Sequence, residues 1–144
     1  MVVGKIDKQV VAEPNHVYLS TPGFIVTISK KTLIPIAVDQ YSGKGSPVDI
    51  FFQSLANDQG SSAIGIVLSG ISIDGGVGIQ AIRAAQGMTF AQIPDSALYN
   101  AMPDSATATG RVDYIFKIDE IVQELACHSN NHVISASWLY QILL

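Results

Sequence analysis

The stretch "AIGIVLSGISIDGGVGIQAIRAAQG", Ala63 to Gly87, constrains the chain more than any other. It opens on an apolar run of strand length with no polar alternation. A strand with one wet face alternates, so this run predicts burial on both faces, as in a parallel sheet. The run stops at Gly70, a single acid follows at Asp74, and glycines stand at 75, 76 and 78. A helical pattern then begins, with Val77, Ala81, Ile82 and Ala85 on one side and Gly87 as its stop. A buried strand running straight into a helix is the first half of a βαβ unit.

The chain repeats that alternation. "MTFAQI" is the next strand. Asp95 is placed to cap a helix over "SALYNAM", which Pro103 interrupts, and "DSATATG" adds a short helical turn ending at Gly110. "VDYIFKI" is a further strand, and "DEIVQELA" a last helix with Asp119 as its cap. Strand, helix, strand, helix, strand, helix predicts a doubly wound, mostly parallel α/β fold of the Rossmann-like kind, here partial, with helices flanking the sheet. Before residue 60 the pattern differs. "HVYLS" at 16 to 20 reads as a strand. "FIVTIS" and "TLIPIAV" flank the lysines at 30 and 31 as a β-hairpin near the N-terminus, with Pro35 favouring an edge. Ser46 and Pro47 open a helix whose apolar stripe is Val48, Phe51, Phe52 and Leu55, with Gly60 just past its end.

Composition excludes several classes. A chain of 144 residues that is 48% apolar and 14% charged can bury a single core. Eight basic against twelve acidic residues give a net charge of -4 with no basic stretch, which argues against nucleic acid as a partner. The N-terminus has no apolar secretory core, and the most apolar end, "VISASWLYQILL", is shorter than the ~20 residues of a spanning helix, so no membrane insertion is expected. Cys127 is the only cysteine, which excludes an internal disulfide and makes the cytoplasm the default location. Its thiol reads as an ordinary, at least half-buried, hydrophobe.

Sites in open parallel sheets form at the carboxyl ends of strands, where Asp74 lies. Two readings are open for it: a cap for the helix over 75 to 86, or a carboxylate that orients a histidine from another segment. The glycines do not fit a dinucleotide loop, because "GISIDGGVG" lacks the G-x-G-x-x-G register and no acid ends the following strand. "QGSSAIG" has the look of a serine elbow, yet Ser61 and Ser62 precede a strand, and an elbow must follow one. His128 and His132 are four apart, but "SNN" between them breaks a helix. Cys127 alone does not complete a metal site there. Neither a metal nor a cofactor is expected.

At this point "HVYLSTPG" and "PVDIFFQSLANDQGSSAIGIVLSGISIDGGVGIQAIRAAQGMTFAQIPDSALYNAMPDSATATGRVDYIF" resemble the catalytic domain of the chemotaxis protein-glutamate methylesterase, CheB. The strand–Gly–x–x–x–Asp–Gly junction, the "AQ" at 91 and 92, the "MP" at 102 and 103 and the "ATG" at 108 to 110 occur in the family's order. The likeness covers roughly residues 10 to 126, leaving 127–144 as an atypical apolar tail. The wording is closest to versions fused to a methyltransferase.

The resemblance implies a hydrolase of bacterial chemotaxis signalling that cleaves glutamate methyl esters on chemoreceptors with a Ser–His–Asp triad. Asp74 stands at the triad aspartate and Ile71 at the residue whose backbone N–H serves the oxyanion hole. Gly70, Gly75 and Met102 stand near the site, and His16 matches a structural histidine. The family's serine and histidine both precede "HVYLSTPG", so the resemblance implies that they lie outside this chain and that the isolated chain is inactive. The alternative is a catalytically inactive fragment or binding module. An apolar face left by absent strands, with the tail to cover it, suggests a homodimer.

Overall fold

The computed structural model describes residues 2–130 and 140–143. In chain order the elements are β1 (Val2–Ile6), β2 (Val10–Val11), β3 (His16–Ser20), β4 (Phe24–Ser29), β5 (Thr32–Ala37) and α1 (Pro47–Gln59). They continue with β6 (Ile64–Val67), α2 (Gly76–Ala84), β7 (Met88–Gln92), α3 (Ala101–Ala108), β8 (Tyr114–Phe116), α4 (Ile118–Asn130) and β9 (Tyr140–Leu143). The strands form a parallel sheet β1-β3-β9, an antiparallel sheet β2-β5-β4 and a parallel sheet β6-β7-β8. The α/β class and the hairpin read from the sequence are what the chain adopts.

The second parallel sheet positions the site. Ile64 pairs with Met88 and Val67 with Ala91, and Phe90 pairs with Tyr114, so β6, β7 and β8 advance in one direction through α2 and α3. All three strands point their carboxyl ends the same way. Gly65 in β6 is required by close approach. A Cβ there would sit 2.6 Å from Cδ1 of Ile82 and 3.3 Å from Cδ1 of Ile79, the two fully buried side chains of α2. Helix α1 packs on one side against β4 and on the other against α2, and Phe51, Phe52 and Ala56 join Val26, Ile28, Ile79 and Ile82 in one core.

The hairpin turn is two residues, Lys30 and Lys31, both at positive φ (49° and 60°), the pairing that matches strand twist. Their amides donate to the Asp58 carboxylate near the end of α1, and Ser54 Oγ accepts from Ile28 N–H at 3.0 Å, so α1 holds the hairpin along its length. Pro35 does not lie on an outer strand. Strand β5 is the middle of its sheet, but β2 reaches only Thr32 and Leu33, so Pro35 meets a neighbour on one side alone.

Other expectations need correction. Residues 2 to 6 form a strand through parallel pairing with β3; the sequence does not announce it, because Val2, Val3 and Lys5 are exposed and give no apolar pattern. β6 is not buried on both faces: Gly65 and Val67 are buried, Ile64 and Ile66 half-buried. Val77 points outward at the start of α2, whose core face is Ile79 and Ile82 with Gly78. α2 ends at Ala84, ahead of Gly87; Gln86 takes the left-handed turn just beyond it (φ 66°), and Gly87 is needed for packing against Ala63. "SALYNAM" is no helix. A single helix runs from Ala101, and Pro103 stands in its first turn, where a missing N–H costs nothing. α4 begins at Ile118, with Asp119 inside it, and runs through Ser129 to Asn130, so "SN" does not break it. Cys127 is exposed rather than packed. In the tail, Tyr140–Leu143 pairs in parallel with β3 of the same chain, His16 facing Tyr140 and Leu19 facing Leu143.

Candidate functional site

Asp74 lies in the loop that leaves the carboxyl end of β6, and it is buried, 7% exposed. Both carboxylate oxygens accept backbone hydrogen bonds: Oδ2 from Val48 N–H at 2.8 Å and Oδ1 from Asp49 N–H at 2.9 Å. Those donors belong to the first turn of α1. The cap reading is therefore right in kind and wrong in place. Asp74 caps α1, 26 residues earlier, while the N-cap residue of α2 is Gly75 (φ 99°), which has no side chain to offer. Ser46 occupies the N-cap position of α1 and makes no side-chain cap bond, because Asp74 has taken those donors. A Cβ at Gly75 would also press within 3.2 Å of Val67 and 3.4 Å of Val48.

The capping geometry has a chemical consequence. A carboxylate oxygen carries two acceptor positions, and each oxygen of Asp74 spends one on an amide. Partial positive charge at the N-terminus of α1 stabilises the anion. Among the described residues no cation pairs with it. What remains is an anchored anion with acceptor capacity to spare at the carboxyl end of a parallel strand. That is what a group that orients an imidazole by its Nδ1–H requires.

The surrounding loops are tied together. Gln92, buried at the end of β7, accepts from Ser69 N–H at 2.9 Å and donates to the Ser96 carbonyl at 3.0 Å. Tyr99 N–H donates to Ser69 Oγ, Gly70 N–H to the Tyr99 carbonyl, and Met102 N–H to the Gly70 carbonyl. A Cβ on Gly70 would collide with the Met102 sulfur, so these two positions meet as a glycine–methionine pair. Gln92 and Ser69 carry this join, and the sequence reading assigned them no role. The polar end of the "AQ" pair was the available signal. Ile71 stands beyond this join with its side chain 78% exposed, and Ile73, Leu98 and Tyr99 are exposed beside it.

Other candidates lie elsewhere. Ser61 and Ser62 form a 3-10 turn ahead of β6, at its amino end, away from Asp74. His16 Nδ1 bonds the Pro14 carbonyl at 2.9 Å and its ring stacks on Tyr18, a structural arrangement at the amino end of β3. His128 Nδ1 bonds the Glu124 carbonyl at 2.9 Å and its ring meets the edge of Tyr114. His132 lies outside the described residues. No group of three metal-ligating side chains occurs among the described residues, and no helix there is long and apolar enough to cross a membrane.

Fold and site together define a parallel α/β domain with a buried, amide-anchored acid at a strand's carboxyl end. The profile of the CheB methylesterase family matches residues 1–125, and the chain belongs to that family. It is 32% identical over 121 residues to a protein-glutamate methylesterase/protein-glutamine glutaminase of Myxococcus xanthus, a match covering 79% of this chain and 34% of that protein. It is 36% identical over 121 residues to a 104.1 kDa protein from the hypE 3′ region of Rhodobacter capsulatus, covering 84% of this chain and 13% of the other. The crystal structure of the Thermotoga maritima CheB methylesterase catalytic domain shares the fold, with a TM-score of 0.73 at 20% identity over 84% of this chain and 66% of that one. The chain thus spans less than two thirds of the proteins it matches. The match also begins earlier than residue 10, taking in β1.

Proposed function

We propose that the chain is the acid-bearing part of a protein-glutamate methylesterase site acting on methylated chemoreceptors in the cytoplasm. Asp74 supplies the triad carboxylate, and the nucleophilic serine and the histidine come from outside these 144 residues. The observation that carries this reading is the Asp74 carboxylate itself: buried, bonded by two amides and without a cation, at the carboxyl end of β6. In the completed site the serine oxygen attacks the ester carbonyl while the histidine takes its proton. The histidine then returns that proton to the departing methoxide, which leaves as methanol. Water, deprotonated by the same histidine, then attacks the acyl-enzyme, the histidine returns that proton to the departing serine oxygen, and the receptor keeps a glutamate side-chain carboxylate. Asp74 holds the imidazole in its working tautomer throughout, and the backbone N–H of Ile71 faces the developing oxyanion.

Methanol release from a methyl-esterified receptor tests the reading. The 144-residue chain alone is expected to show no turnover. Turnover abolished by Ser61→Ala or Ser62→Ala would show instead that the chain holds its own nucleophile and would overturn the assignment.

A further inference from the structure

We infer that Asp49 is the positioning residue of Asp74, the two carboxylates forming a reciprocal clamp in which each one caps the other's helix. The inference rests on the reading of Asp74 as the acid that orients a histidine. Asp74 immediately precedes α2 and accepts the N–H groups of Val48 and Asp49 in the first turn of α1. Asp49 sits in that first turn, and its own Oδ1 accepts Gly78 N–H, in the first turn of α2, at 2.7 Å. The result is a closed ring: Asp49 N–H to the Asp74 carboxylate, four residues along the chain to Gly78, and Gly78 N–H back to the Asp49 carboxylate.

Two features make this more than a pair of ordinary caps. Both acids are buried, Asp49 at 8% exposure and Asp74 at 7%, and no cation pairs with either among the described residues. Two adjacent buried anions repel, and here each is offset by the positive end of a helix. The ring also depends on close approach. A Cβ on Gly78 would stand 3.1 Å from Cα of Asp49 and 2.5 Å from Cβ of Phe52, so α2 reaches Asp49 only with glycine at that position. Rotating Asp74 outward breaks two bonds to α1, and shifting α1 breaks the bond from Gly78. Asp74 therefore meets its partner already aimed, which is the preorganisation an orienting group needs. Burial pushes the Asp49 carboxyl above its ordinary pKa. The Gly78 N–H draws it down, the charge of Asp74 pushes it up, and the Gly75 and Val77 amides draw it down again by less.

The test is amide exchange and pH-dependent amide shifts on the full chain, with Asp49→Ala, Asp49→Asn and Asp74→Asn. Asp49→Ala removes the acceptor at the start of α2 and no acceptor of the Val48 and Asp49 amides. The clamp predicts that it also lowers protection at the amides of residues 48 and 49, by about five- to tenfold, the size of one lost cap. Asp49→Asn keeps an acceptor oxygen and is expected to restore protection to within about twofold of the parent. Loss confined to the amides at the start of α2, or an Asn variant no better than Ala, would overturn the inference. If Asp49→Ala does not fold, the Gly78 amide shift, which follows Asp49 ionisation, still decides. Asp74→Asn must move its midpoint to lower pH, because the like charge is gone. An unmoved midpoint would show that the two acids are uncoupled and would sink the clamp. A completed enzyme indifferent to Asp74 would instead sink the functional reading while the exchange results stood.

Discussion

Two carboxylates at opposite ends of the β6-β7-β8 sheet meet different fates. At the amino end, Asp113 accepts Thr89 N–H at 2.9 Å and Thr89 Oγ1 at 3.0 Å, and its other oxygen is 3.0 Å from Nε of Arg83. At the carboxyl end, Asp74 has two amides and no cation. Asp113, just ahead of β8, is paired with Arg83 of α2 and joins β7 to β8. The charge of Asp74 is offset by dipoles alone, which leaves an anion able to stabilise an imidazolium. The contrast sets a carboxylate paired with a cation against one held by amides alone on the same sheet, and the partner rather than the residue type separates them.

The largest effect that would sharpen the contrast is catalytic. In this chain extended by the part of the Thermotoga CheB catalytic domain that it does not cover, Asp74→Asn is expected to cut methanol release by about 10⁴-fold, the cost of a misdirected tautomer. Asp113→Asn is expected to leave the rate within a few-fold. Equal losses would erase the distinction.

Stability effects come next. Gly78→Ala drives a Cβ into Phe52 and the backbone of Asp49, so overpacking of about 1–3 kcal/mol is expected in urea titration. Asp74→Asn is expected to cost about 1–3 kcal/mol, because the Asn amide must face one of two N–H donors that both need an oxygen. A simple one-oxygen cap would have tolerated Asn. Arg83→Ala breaks a partly exposed pair and should cost at most about 1 kcal/mol, less in high salt.

The smallest effect is the pH dependence. Burial, with help from Asp74, raises the Asp49 pKa above its ordinary 3.8. Its favourable contribution is therefore full below that value and is lost as pH rises through the folded pKa. Asp49→Asn removes the loss, so its stability relative to the parent should improve with pH across that window. Asp58 behaves oppositely. Burial pushes it up, but the Gln59 side chain and the Lys31 and Lys30 amides outweigh this and lower it. Its contribution is present above 3.8 and is lost as pH falls through the folded value. Urea midpoints across the acid range, parent against Asp49→Asn and Asp58→Asn, check both signs.

Local signals carried most of the architecture. The unbroken apolar run at 63 to 68, the Ser46–Pro47 start and the paired lysines each act within a few residues, and they dictate sheet, helix and hairpin. What was illegible depends on distance. Asp74 looks like a cap for α2 because that helix is its immediate neighbour along the chain, whereas its donors lie 25 and 26 residues back. Asp49 reads as an ordinary first-turn acid until α2 comes alongside. β1 and β9 owe their strand state to pairing with β3, and the exposed Val2, Val3 and Lys5 of β1 carry no alternation that would announce it. Pro103 suggested a break because its place in the helix depends on where the turn before it ends.

The central claim is that Asp74 bonds a histidine. In the extended chain, a low-field imidazole Nδ1 proton is predicted, with a nuclear Overhauser contact to the Val48 amide and loss of the signal in Asp74→Asn. The same proton persisting unchanged in Asp74→Asn would contradict the claim, because the histidine would then be held by another group.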